Sequence, residues 1–210
     1  MLRPPSQLFE ALQHMGYEWV IRLDDDSVFP HPIPYNLVSL MEANGAEYGY
    51  RADSYDAAEV LQALPEAARY WLIAENIRPL WLLHFCLPQD LSGLSSEGWS
   101  GTIFYNNFFI TRVDWWMQPH IRAWLAFLLD LGGFYKFRWG DAPVHTITMG
   151  MFMSDDLILQ FGFEYEHQQL KYLLNQFSQQ FFANVVFNGT HGALHTPTAH
   201  QQDSEEQGVT

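Results

Sequence analysis

Residues 17–32 read YEWVIRLDDDSVFPHP. Trp19, Val20, Ile21 and Leu23 form an aromatic and β-branched run, which predicts a buried strand over residues 17–23. Three carboxylates, Asp24, Asp25 and Asp26, follow it without a spacer. Two carboxylates at i and i+2 beyond a strand end can face one point, and hard oxygen ligands of that kind suit Mg2+ or Mn2+. The same triplet also reads as an acidic turn leading into the next element.

Outward from this stretch, residues 7–15 read as a short helix, with Leu8, Leu12 and Met15 on one face and Gly16 as its stop. Residues 35–44 predict a helix closed by Gly45, and residues 48–51 a second strand. Pro65 opens a helical pattern through residue 76. Residues 92–101, rich in Gly and Ser, read as a mobile loop, and residues 102–111 as one buried strand. Asp114 can cap a helix running to Leu131, with Ile121, Trp124, Leu125, Leu128 and Leu129 as its inward stripe. Another helix follows Pro143, and residues 160–165 read as a further strand. Alternating strands and helices indicate an α/β fold with a mostly parallel sheet, ligands being expected where strands end. Residues 1–192 form the folded part, and the polar residues 193–210 read as a flexible tail.

The chain has 210 residues, 48% of them hydrophobic, which is enough for one globular domain. Twenty-four acidic against ten basic residues give a formal charge of −14. That balance disfavours nucleic acid or an anionic membrane as partner and favours a cation or a neutral polar ligand. Cys86 is the single cysteine, so no intrachain disulfide forms. No stretch reaches the ~18 apolar residues of a membrane span, and residues 1–6 are no signal peptide, so the chain reads as soluble and untargeted. Against this stands the triplet Asn188-Gly189-Thr190, a glycosylation sequon if the protein meets a secretory lumen and a chance triplet otherwise.

Two other stretches carry chemistry. In Arg138-Trp139-Gly140-Asp141-Ala142-Pro143-Val144-His145, Asp141 two residues before a proline is a helix start, and His145 reads as a core histidine. In Tyr165-Glu166-His167, the imidazole either joins carboxylates around a metal or is structural.

YEWVIRLDDDSVF, YNNFFI, FYKFRWGDAPVHTITMGMF and GFEYEHQ, in this order and spacing, resemble the fungal-type Golgi α-1,2-mannosyltransferase family, across roughly residues 8–167. The octapeptide RWGDAPVH is the most specific match. The resemblance implies a GT-A type glycosyltransferase fold and retaining transfer of mannose from GDP-mannose to a mannoside acceptor of glycoproteins, with Mn2+ as cofactor. In relatives the enzyme is a type II membrane protein of the Golgi lumen. The family's metal motif, Glu-Pro-Asp, falls on Asp24-Asp25-Asp26, and the family's metal-binding histidine on His167. Asp24, Asp26 and His167 are thus implied to hold the metal, with Asp26 also on the donor side. Asp141 is implied to position or activate the acceptor, and Asn107 to contact sugar hydroxyls.

Two departures from the family pattern qualify the expectation. The family strand Asn-Phe-Glu-Ile carries a glutamate proposed as nucleophile, and Phe109 stands there in Asn107-Phe108-Phe109-Ile110. Phenylalanine cannot attack an anomeric carbon, which leaves a front-face route. Secondly, 23 residues precede Asp24, too few for the ~30 residues of each βα unit in a nucleotide-binding half. The family's anchor, stem and first nucleotide-binding strands are therefore expected to be missing. The rival reading is a catalytically inactive glycan-binding or structural remnant of the same fold. A calcium-binding module is disfavoured, because the triplet lacks the alternating oxygen ligands of an EF-hand.

Overall fold

The computed structural model describes residues 5–167, and both the sequon at Asn188 and the tail lie outside them. In chain order the elements are α1 (Pro5–His14), β1 (Trp19–Leu23), β2 (Ser27–Val28), α2 (Leu37–Ala43), β3 (Tyr48–Tyr50), β4 (Asp53–Tyr55), α3 (Ala58–Leu61), α4 (Leu64–Ala74), β5 (Thr102–Phe104), β6 (Phe108–Arg112), α5 (Val113–Trp116), α6 (Pro119–Leu131), α7 (Gly133–Lys136), α8 (Asp141–Phe152), β7 (Ile158–Gln160) and β8 (Glu166–His167). None of the described helices is long and apolar enough to cross a membrane.

The main sheet has the order β1-β6-β3-β7. β6 runs antiparallel to both β1 and β3, and only β3 and β7 are parallel. The fold is α/β with a mixed sheet, and the parallel majority expected from the sequence does not hold among the described strands. The physical reason is that β6 carries on in the direction of β5, which pairs antiparallel with β4 just beyond β3, and the Tyr105 amide donating to the Ala52 carbonyl at 2.8 Å joins the two ladders, so β6 lies antiparallel to β3.

Alternation along the strands splits the interior in two. Tyr48, Tyr50 and Phe109 face a large core built from α1, α4, α5, α6 and α8, which includes Phe9, Leu72, Trp116, Trp124 and Ile147. Phe108 and Ile110 face a smaller aromatic core with Met41 of α2, Phe161, Phe163 and Tyr165. Gly49 is required on this second face, because a Cβ there would stand 2.7 Å from the Phe161 ring and 2.8 Å from Met41 Sδ.

Helix α8 is buried from Ala142 through Met151, so its polar residues must be satisfied internally. Thr146 Oγ1 accepts from the Phe104 amide at 2.8 Å and donates to the Ala142 carbonyl at 2.9 Å. Thr148 Oγ1 accepts from Trp124 Nε1 at 2.9 Å and donates to the Val144 carbonyl at 2.6 Å. These bonds tie α8 to β5 and α6.

Two elements expected as single pieces are divided and a third is displaced. Residues 102–111 form β5 and β6 with a turn at Tyr105–Asn107 between them, and that turn builds part of the site. The helix expected from Asp114 is interrupted before Pro119, whose missing N–H suits the first turn of α6. The Asp114 carboxylate does not cap it but takes two bonds from the Arg112 guanidinium, at 2.9 and 2.7 Å. The strand expected at residues 160–165 is displaced to β7 and β8, because Phe161, Phe163 and Tyr165 are taken into the aromatic core. The loop expected at residues 92–101 is anchored by buried Leu94 and Trp99.

Candidate functional site

The acidic triplet makes a tight turn from β1 into β2, held by the Ser27 amide donating to the Asp24 carbonyl at 3.1 Å. The Asp24 amide donates to the Asn107 carbonyl at 2.9 Å, which pins the turn to the one between β5 and β6. β2 pairs antiparallel with β8, with Ser27 opposite His167. Three chain segments more than 50 residues apart therefore meet because two short ladders share the end of one sheet.

The outcome is a cluster in which one ligand atom each of Asp24, Asp26 and His167 lies within 4.8 Å of the others. His167 is 3% exposed, whereas Asp26 keeps a third of its side chain in solvent and Asp24 about a quarter. His167 Nε2 stands 2.6 Å from Asp26 Oδ1. Asn107 Nδ2 donates to Asp24 Oδ2 at 2.6 Å and lies 2.8 Å from the same His167 Nε2. Two carboxylates and an imidazole on one point suit a divalent cation of the Mn2+ type. Asp25 is exposed and stands apart from the cluster.

Asp141, the first residue of α8, does not cap its helix through its side chain; Gly140 occupies the cap position. Its carboxylate is ion-paired with Arg22 Nη1, and Arg22 Nε donates to Asp24 Oδ1 at 3.0 Å. Arg22 thus couples the Asp141 carboxylate to the Asp24 carboxylate. Sequence reasoning overlooked it, although Arg22 lies two residues before Asp24 on a strand and therefore on the same face.

Tyr105 is the second residue that was missed. Its hydroxyl lies 3.0 Å from His167 Nδ1. Burial above all, then Tyr165 and the Asp26 and Asp24 carboxylates, pushes the Tyr105 phenol up to about 12, so it stays protonated. Burial also raises Tyr165, opposed by its bond with Ser27 at 2.7 Å. A tyrosine beside Asn106-Asn107 in a strand-to-strand turn was the available signal.

Behind the cluster, Phe109 is 2% exposed. Its ring stacks on Tyr48 at 5.7 Å and meets His145 edge-on at 5.3 Å. The Tyr48 hydroxyl and His145 Nδ1 are both buried without a hydrogen-bond partner. His145 is a core histidine, as its place on α8 suggested.

Residues 4–178 match the glycolipid 2-alpha-mannosyltransferase family. The chain belongs to that family. It is 31% identical over 148 residues to the alpha-1,2 mannosyltransferase KTR1 of Saccharomyces cerevisiae, covering 70% of this chain and 36% of the relative. It is 28% identical to glycolipid 2-alpha-mannosyltransferase 2 of Candida albicans, covering 69% of this chain and 31% of that one. The chain spans about a third of the length of these curated family members. Among solved structures, core-mannan synthase A from Aspergillus fumigatus, in a Mn/GDP form, superposes with a TM-score of 0.68 at 24% identity, covering 76% of this chain and 45% of that one. The mannosyltransferase Ktr4p of S. cerevisiae in complex with GDP gives 0.65 at 21% identity. These likenesses establish the mannosyltransferase fold for the described residues.

Proposed function

We propose that this chain is the metal-holding part of a retaining mannosyltransferase that moves mannose from GDP-mannose to a mannoside acceptor of glycoproteins, forming an α-1,2 linkage in the Golgi lumen. The observation that carries the reading is the convergence of Asp24, Asp26 and His167 at the end of β1. Family membership and a Mn/GDP form of a structure with the same fold support it. The donor set, two carboxylate oxygens and one imidazole nitrogen, fits Mn2+.

Asp24, Asp26 and His167 would hold the cation, which would supply positive charge for the diphosphate as the sugar departs. In the transfer, the bond between mannose C1 and the phosphate oxygen breaks with its electron pair on GDP. The acceptor hydroxyl forms the new C1–O bond on the same face, and its proton passes to the departing phosphate oxygen. Asp141, fixed by Arg22, orients the acceptor hydroxyl. Phe109 offers no carboxylate on the far face, so no mannosyl-enzyme ester forms.

Calorimetric titration of the chain with Mn2+ tests the site. Wild type should bind and the Asp26→Ala/His167→Ala double variant should not; equal binding by both would sink the assignment. Incubation with GDP-mannose, Mn2+ and a mannoside should then give an α-linked product by NMR and no mannosylated protein by intact mass. A β-linked product or a trapped adduct refutes the front-face route. Metal binding without transfer to any mannoside, in a protein that also carries the family's nucleotide-binding strands, favours the glycan-binding remnant instead.

A further inference from the structure

The Asn107 carboxamide lies against two of the three candidate ligands, Asp24 and His167. Its nitrogen is 2.6 Å from Asp24 Oδ2 and 2.8 Å from His167 Nε2, and Asp26 Oδ1 is 2.6 Å from that same imidazole nitrogen. His167 Nε2 presents either one lone pair or one N–H. With a lone pair it accepts from Asn107 but opposes the Asp26 oxygen. With an N–H it serves Asp26 but opposes the Asn107 amide. One of the contacts is therefore unfavourable in either tautomer.

A cation removes the conflict. The Nε2 lone pair and both carboxylates then point at positive charge, while Nδ1–H donates to the Tyr105 oxygen, the usual arrangement behind a metal-bound histidine. The Asn107 amide nitrogen is then the one mismatched group. The two ends of a carboxamide are nearly isosteric, so turning it end for end places Oδ1 where Nδ2 stands. Amide carbonyl oxygens are ordinary ligands of hard divalent cations.

We infer that Asn107 is a fourth protein ligand of the divalent cation, through Oδ1 after its carboxamide turns over. The inference rests on the metal site proposed above. It assigns Asn107 to the metal rather than to a sugar hydroxyl. The residue would thus turn from donor, as in its contacts to Asp24 and His167, to acceptor when the cation is bound.

The test is Mn2+ calorimetry together with thermal melting of wild type, Asn107→Ala and Asn107→Asp, without GDP-mannose. Asn107→Ala should weaken Mn2+ binding by about tenfold or more, the scale seen when a group supporting a metal site is removed. Asn107→Asp, which keeps the shape and adds a carboxylate beside Asp24, should melt lower than wild type without metal. It should gain more on Mn2+ addition and bind Mn2+ at least as tightly as wild type. Unchanged or tighter binding by Asn107→Ala overturns the assignment, since the amide would then be a bystander or a competitor. An Asn107→Asp protein that Mn2+ does not stabilise overturns it as well, even if the alanine variant fails to fold. If wild type binds no Mn2+, both this inference and the metal site fall; binding by wild type with no change in either variant removes this inference alone.

Discussion

His145 sits one turn beyond Asp141, its ring 4.4 Å from Trp116, 5.3 Å from Phe109 and 6.3 Å from Tyr48. Burial, and then the Arg22 charge, push its pKa from 6.5 down to about 3. The unfolded chain therefore takes up this proton first as the pH falls. The contribution of a neutral His145 to stability is complete above about pH 6.5 and is lost as the pH drops toward 3. His145→Leu should flatten the rise of melting temperature with pH between about 4 and 6.5, because carboxylate contributions persist in both proteins; an unchanged slope would contradict it. Arg22 offers a second test at this scale. Its guanidinium lies beside Asp24, where a unit charge several ångströms from a cation in a partly wet site is worth roughly 1 kcal/mol. Arg22→Gln should therefore tighten Mn2+ binding about fivefold, and under the role proposed for Asp141 it should also lower turnover, since Asp141 loses its anchor. Weaker Mn2+ binding in that variant would show that Arg22 shapes Asp24 instead of competing with the metal.

At the scale of elements, β1 and its triplet were legible because a strand of residues 19–23 announces itself by composition, and strand-end carboxylates follow from period two. The site's third member was legible only through resemblance. Nothing local to His167 says that β8 pairs with β2, a ladder of two residues each. The turn at residues 105–107 was hidden because Tyr105 continues the aromatic pattern of its neighbours and the break falls on two asparagines inside an apolar run. Helix α8 was placed correctly by Asp141 and Pro143, but its burial on all sides was not visible from its ends. The segment before it gives a prediction. A Cβ at Gly133 would stand 2.3 Å from the Trp139 ring. Trp139 is held by its indole N–H donating to the Gln62 carbonyl at 2.7 Å and by Phe134 at 5.8 Å, so it cannot yield freely. Gly133→Ala should cost about 1–3 kcal/mol, a drop of several degrees in melting temperature. Because Trp139 lies two residues before Asp141, the proposed transfer should fall further than melting at assay temperature accounts for. Wild-type melting in that variant would mean the loop relaxes without strain.

For the molecule as a whole, strand order and surface chemistry pull in opposite directions. β1 ends the main sheet and leaves one row of backbone groups unpaired among the described strands. On that strand Ile21 and Leu23 are 48% and 47% exposed, and Val28 beyond the triplet is 53% exposed. Natural edge strands are guarded by charge, proline or a bulge, and Arg22, the charged residue within β1, is turned toward Asp24 and Asp141 instead of outward. What opposes pairing of two such edges is the charge of −14, which acts over about 10 Å at 0.1 M salt and over about 3 Å at 1 M. The chain on its own should therefore remain dispersed at low ionic strength and self-associate as salt is raised, the reverse of an association driven by opposite charges. Ile21→Thr/Leu23→Thr keeps β propensity and net charge while removing the apolar edge. Sedimentation velocity across a salt series should show wild type growing heavier with salt and the double variant staying monomeric. Equal association by both proteins would place the contact elsewhere, and dissociation of wild type by salt would make it electrostatic.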